Sequence, residues 1–166
     1  MPDVTFEDQL TLRLGGREFK LYYFGRNHSD SSLVLSYPAR RVIFAVDFIP
    51  IDDIPFGTRN QDYVAEWIES LRKVEELDFD VIVPGHGNPG QKDSARLVSE
   101  YFQDLVVAVE NAESRGQTRE SPRMVSAVRA ALYPKYGSWA NFGPGLPGNI
   151  RGLYEYWDRM GRFPIR

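Results

Sequence analysis

VIVPGHGNPG, residues 81–90, sets three β-branched residues directly against a Pro-Gly-His-Gly turn. The first part has the composition of a short buried strand, and the second throws a histidine out on a tight loop between two glycines. The chain of 166 residues owns only one other histidine, His28, which follows a strand-like run in FGRNHSDSS. Between the two lies RVIFAVD, residues 41–47, apolar almost without break and stopped by an acid, Asp47. Such a run predicts a central strand buried on both faces. In an open α/β sheet, ligands collect beyond the carboxyl ends of strands, and His28, Asp47 and His86 each stand at such an end. Two imidazoles and a carboxylate are a donor set for zinc, iron or manganese. Taken singly, each residue also has a bland reading: a solvated loop histidine, an Asp that caps its own backbone, a plain tight turn in PGHG. The joint order is what points to a metal.

Outward from this core the pattern is α/β. LTLRLGGREFKLYYF alternates on two arms around Gly15-Gly16 and predicts a β-hairpin. SLVLSY is a third short strand, ended by Pro38. FIPIDDIPFGTRN, with Pro50, Pro55 and Gly57, is an irregular loop. Val64, Trp67, Ile68, Leu71, Val74 and Leu77 then follow helical spacing, with Asn60 as the expected N-cap, and DVIV closes a β-loop-α-β unit. A longer helix is predicted from about Asp93 to Glu113 with Gly116 as its stop, and a short one after the Ser121 cap and Pro122. GPGLPGNIRGLYEYW reads as a Gly/Pro loop leading into a last aromatic-rich helix.

Bulk properties narrow the function classes. Apolar content is 42%, charged content 26%, and the net charge is −3 with basic residues dispersed. These values fit one soluble domain, with no basic cluster for nucleic acid or a membrane surface. No cysteine is present, which excludes disulfides, thiolate catalysis and cysteine-zinc sites and fits a cytoplasmic location. No secretory leader is visible at the amino terminus, and no apolar run reaches the roughly 20 residues of a membrane span.

The order NHSDSSLVL, RVIFAVD, VIVPGHG resembles the metallo-β-lactamase-fold hydrolases, and the resemblance runs from about Val4 to Trp157. It implies that His28 binds a first metal, that Asp47 bridges two, and that His86 binds the second. It also implies the fold: half of an αββα sandwich, a mixed sheet covered by helices on one face, with a helical C-terminal extension. Residues 1–118 would be the carboxyl-terminal half of such a domain and 119–166 a helical tail packing on it. The departures matter. Ser31 stands where the family often has Gly, and Val46 replaces the usual Gly before Asp47. The family's H-x-H-x-D-H signature, which supplies four further ligands, is absent, because His28 and His86 are the only histidines.

Half a site has chemical consequences. Catalytic zinc ordinarily keeps three protein ligands and a water; here each metal would keep two, with Asp47 shared. Zinc, iron or manganese is therefore expected to be weakly held or absent, unless the loops bring all three donors onto one ion. Little or no hydrolysis is expected of the chain alone. Ser29 and Ser31 flank His28, but sequence adjacency is not triad geometry. The missing half would leave an apolar sheet face open. Either a complementary amino-terminal half or a second copy, in a homodimer, is expected to cover it; the family's two halves are related by an approximate two-fold axis. An active site so completed would take a small-molecule substrate; a non-catalytic, self-associating module is the other reading. The acidic pair in PIDDIP, Asp52 and Asp53, is either a cation site or a solvated turn. Tyr133, Tyr136, Trp139, Phe142, Tyr154, Tyr156 and Trp157 either line a substrate pocket or form the core of a helical cap.

Overall fold

Two glycines in the left-handed region start the sheet. Gly15 (φ 56°) and Gly16 (φ 74°) turn β1 (Gln9–Leu14) into β2 (Arg17–Tyr22), a two-residue connection whose twist suits an antiparallel pair. The computed structural model describes residues 3–55 and 63–165. β3 (Val34–Tyr37) pairs with β2, and a 3-10 turn at Pro38–Arg40 returns the chain into β4 (Val42–Ala45), antiparallel to β3. The chain then crosses through helix α1 (Val64–Glu75) to β5 (Val81–Pro84), parallel to β4. A two-residue strand, β6 (Gly90–Gln91), folds back along β5 and completes a mixed sheet in the order β1-β2-β3-β4-β5-β6. Helices α2 (Asp93–Ser114), α3 (Pro122–Tyr136) and α4 (Phe142–Met160) follow.

The sheet is covered on one side. Val34, Ile43, Ala45 and Ile82 are buried in one cluster with Trp67 and Leu71 of α1 and Phe102 of α2. The other face carries an unbroken cross-strand row, Leu10-Leu21-Leu35-Phe44-Val83. Beside it Phe19 stacks on Tyr37 at 4.9 Å. This corrects the expectation for RVIFAVD. The strand is central, but it is not buried on both faces: Ile43 and Ala45 are fully buried, while Phe44 is 40% and Val46 51% exposed. The cause is that helices pack on one side only.

Arg41, in the left-handed region at φ 54°, ties the starts of the parallel strands together. Its guanidinium reaches Asp80 at 2.7 and 2.9 Å and Asp78 at 2.6 Å, just ahead of β5. α1 buries Val64, Trp67, Ile68, Leu71 and Val74, as helical spacing predicts, but it ends at Glu75, so Leu77 falls in the turn beyond it, its N–H bonded to Val74 O at 3.0 Å. Its flanking residue, Tyr63, makes no side-chain cap, and Asn60 lies outside the described residues. α2 ends two residues before Gly116, which sits at φ 84° and whose N–H bonds Glu113 O. Ser121 caps α3 by accepting from the Arg123 N–H at 3.2 Å.

The second correction concerns GPGLPGN. It is not a loop but the first turns of α4. Pro144 falls in the first turn, where an N–H has no helical partner anyway. Pro147 deprives Gly143 O of its helical donor, and Arg129 of α3 supplies one instead, at 3.0 Å. Gly145 faces Ile54 so closely that a Cβ there would lie 2.5 Å from Ile54 Cδ1. The tail shares one hydrophobic cluster with the sheet layer, through Met124, Val128, Leu146, Ile150 and Leu153. Arg162 also holds Glu113 at 2.8 Å, and Arg119 holds Asp158 at 2.7 Å. No helix among the described residues is long and apolar enough to cross a membrane.

Candidate metal centre

The parallel ladder positions the site. Val42 to Ala45 face Val81 to Pro84 one for one, and the next steps bring Asp47 level with His86. Asp47 sits at φ 66°, a left-handed conformation that Asp tolerates better than most residues. Its carboxylate passes over Gly85. A Cβ at Gly85 would collide with Asp47 Oδ1 and lie 3.0 Å from Val46 Cγ1, so only glycine admits the carboxylate there. Asp47 Oδ1 is buried and accepts no hydrogen bond. It faces His86 Nε2 at 3.4 Å, an ion pair when the imidazole is protonated. The residue after Asp47 is anchored: the Trp67 indole N–H donates to Phe48 O at 2.8 Å.

His28 stands in a turn closed by its own neighbours. Asn27 N–H bonds Ser29 O at 3.0 Å, Ser29 and Ser32 hydroxyls meet at 2.7 Å, and the Tyr23 hydroxyl donates to Asp30 O at 3.0 Å. The His28 ring packs edge-on against Trp67, centroids 5.8 Å apart. Burial pushes its imidazole below the ordinary value of 6.5, the nearby Asp47 charge opposes this, and His86 adds a smaller push downward. His28, Asp47 and His86 line one cavity of about 500 Å3 together with Ile49, Ile51 and Pro89. Among the described residues, however, no three His, Cys, Asp or Glu side chains are grouped closely enough to hold one metal ion. Asp47 and His86 converge, and His28 lines the same cavity.

Asp52 and Asp53 also line this cavity. Asp53 is engaged: it accepts from Asn141 Nδ2 at 3.0 and 3.2 Å and from the Ile54 N–H at 2.8 Å. Burial pushes its carboxyl up from 3.8, against both sets of hydrogen bonds. The aromatic residues fall elsewhere. Tyr136, Phe142, Tyr154, Tyr156 and Trp157 are buried in the core under the tail, Tyr133 is exposed, and none of the seven lines the cavity. Sequence reading missed Gly85 as a packing requirement and Ala140, from the α3–α4 turn, as a lining residue. The only signal for the first is its place between a strand and a histidine; the second gives none.

Residues 1–86 match the model of the metallo-beta-lactamase superfamily. The chain belongs to that superfamily. Among its relatives are type 2 metallo-beta-lactamases from Bacteroides fragilis and Elizabethkingia meningoseptica. The first is 26% identical over 110 residues, 62% of this chain and 44% of the relative. The second is 26% identical over 106 residues, 60% and 43%. The alpha subunit of 2,4-dinitroanisole O-demethylase from Nocardioides sp. (strain JS1661) is 30% identical over 80 residues, 48% of this chain and 24% of that one. The solved metallo-beta-lactamase from Pontibacter korlensis aligns with a TM-score of 0.57 at 23% identity, over 61% of this chain and 49% of that one. The likeness shows the fold, an α/β metallo-beta-lactamase arrangement of mixed sheet and helices. The chain spans less than half the length of the lactamases it matches.

Proposed function

We propose that this chain carries part of a metal-dependent hydrolase site, with His28, Asp47 and His86 as its metal donors and zinc, iron or manganese as the metal. The observation that supports it best is the Asp47–His86 pair: a buried carboxylate oxygen without a hydrogen-bond donor, 3.4 Å from an imidazole nitrogen, over a glycine that leaves it room. The donor set suits the metal, and two converging donors fall short of the three or four zinc takes from protein. When bound, a divalent metal supplies a water of lowered pKa and polarises a carbonyl or phosphoryl oxygen. The chain's own residues orient that end. Asp47 and His86 would together hold the metal, His28 would approach it from the same cavity's lining, and Ile49, Ile51 and Pro89 would limit water around a small-molecule substrate. The site is completed by a companion surface, which we assign first to a complementary amino-terminal half. A cytoplasmic location belongs to the same reading, supported by the absence of cysteine.

Metal content, zinc calorimetry and an ester or thioester assay test this, with and without an amino-terminal half supplied from a relative. Zinc is expected to raise the melting temperature of the native chain and not of His86→Ala, and turnover is expected only in the complex. No zinc uptake together with no turnover in the complex removes the proposal. A second reading, a non-catalytic module that self-associates as a homodimer, is favoured by the uncovered apolar sheet face alone. It expects melting that ignores zinc.

A further inference from the structure

The C-terminal tail reaches the cleft. Between α3 and α4, Ala140 lines the same cavity as Asp47 and His86. It is held there by backbone pairing with the loop that follows β4: Ala140 N–H donates to Asp52 O at 2.8 Å, and Ile54 N–H to Ala140 O at 3.4 Å. Next to it Asn141, at φ 56°, donates its carboxamide to both oxygens of Asp53. The loop is gripped at two further points. Ile54 lies against Gly145, and Ile51 against Gly90, where a Cβ would come within 2.6 Å of Ile51 Cδ1. The Ile49–Ile54 wall is therefore fixed from both sides, and one of the two grips is the tail. Ile49, Pro50, Ile51, Pro84 and Pro89 give the cavity an apolar lining beside Ala140, while its further polar members are Asp52, Asn88 and Asp53, the last engaged by Asn141.

We propose that the tail is a specificity element of this cleft. Asn141 is a positioning residue that holds the Ile49–Ile54 wall, and Ala140 limits the size of the uncharged, apolar group a ligand places against it. The proposal rests on the reading above only for the polar end of the ligand. A small wall residue admits a longer chain; a large one excludes it, and a methylene gained or lost in an apolar pocket changes affinity about tenfold or more.

The test uses the full chain, isotope-labelled, titrated with acetanilide, butyranilide and hexananilide and followed by NMR. Affinity is expected to rise with acyl length, with shifts at Ile49–Ile54, Gly85–Gly90 and Ala140. Ala140→Phe is expected to weaken hexananilide about tenfold and acetanilide by less than about twofold. Asn141→Gly keeps the left-handed backbone but removes the carboxamide, and should flatten the length preference. The exchanged pair Asp53→Asn with Asn141→Asp, which restores an amide–carboxylate contact, should bring the preference back; a role in stability alone predicts no such recovery. Unchanged binding in Ala140→Phe, an absence of shifts, or shifts confined to residues outside this cavity overturns the proposal. Zinc titration of the same variants separates the two readings. Zinc-indifferent chain with intact length selection removes the metal site and keeps the wall; zinc uptake without length selection does the reverse.

Discussion

Gly85 shows how a single absent carbon governs the site. With no Cβ it lets the Asp47 carboxylate pass, and any other residue pushes it off. Gly85→Ala is expected to lose about 1–3 kcal/mol by overpacking, measured by urea denaturation, and to lose any zinc-dependent stabilisation with it. Trp67 acts from the other side. Trp67→Phe keeps most of the ring but leaves Phe48 O without its donor, a loss of about 1–3 kcal/mol that should also loosen Asp47 next door, read as faster hydrogen exchange at residues 47–49. His28, Asp47 and His86 stood out in sequence because few residue types do metal chemistry and the chain owns two histidines, and the structure places all three on one cavity. Gly85 was not, because a sequence shows that a side chain is missing without showing what fills the gap. Nor was the failure of any three such donors to group among the described residues, since a sequence does not give the angles at which its loops meet.

At the scale of the element, α1 and α2 were legible because their buried residues recur at helical spacing over several turns. The start of α4 was not. Its glycines and prolines argue against a helix, and the helix forms because its neighbours suit them: Arg129 donates to Gly143 O, and Ile54 needs the bare Gly145. Arg129→Ala is expected to cost about 0.5–1.5 kcal/mol, with the loss of helical signal confined to residues 142–148 in exchange experiments. β6 was missed because two residues carry no periodicity. Acid should weaken the contacts between elements first. The Arg119 guanidinium holds the Asp158 carboxyl below its ordinary 3.8, Arg41 does the same for Asp80, and Lys135 holds Glu100 below 4.5. Depressed carboxyl values mean that this stability is complete above 4.5 and is lost as pH falls through the native values. A series of urea midpoints against pH should fall there, and Asp158→Asn should flatten part of the slope.

For the molecule as a whole, the sequence showed an apolar central strand but could not show that one of its faces stays open, since both faces of VIFA are apolar and only the count of covering layers decides. The open face is nearly free of charge along the row from Leu10 to Val83, so it suits another apolar surface, including its own image. Phe44→Glu places a charge at the centre of that row. It is expected to leave the fold intact, because Phe44 is 40% exposed, and to abolish any association seen by light scattering of the native chain. A monomer in both cases would leave the face without a partner of its own kind.

Arg41 grips Asp80 where the two parallel strands begin, and each stands six positions ahead of its member of the polar pair, Asp47 just past β4 and His86 just past β5. The fork is thus the zero mark of two rulers cut to equal length. Adding one residue to either ruler alone would carry the oxygen past the nitrogen, while lengthening both together would let them meet again one step farther out.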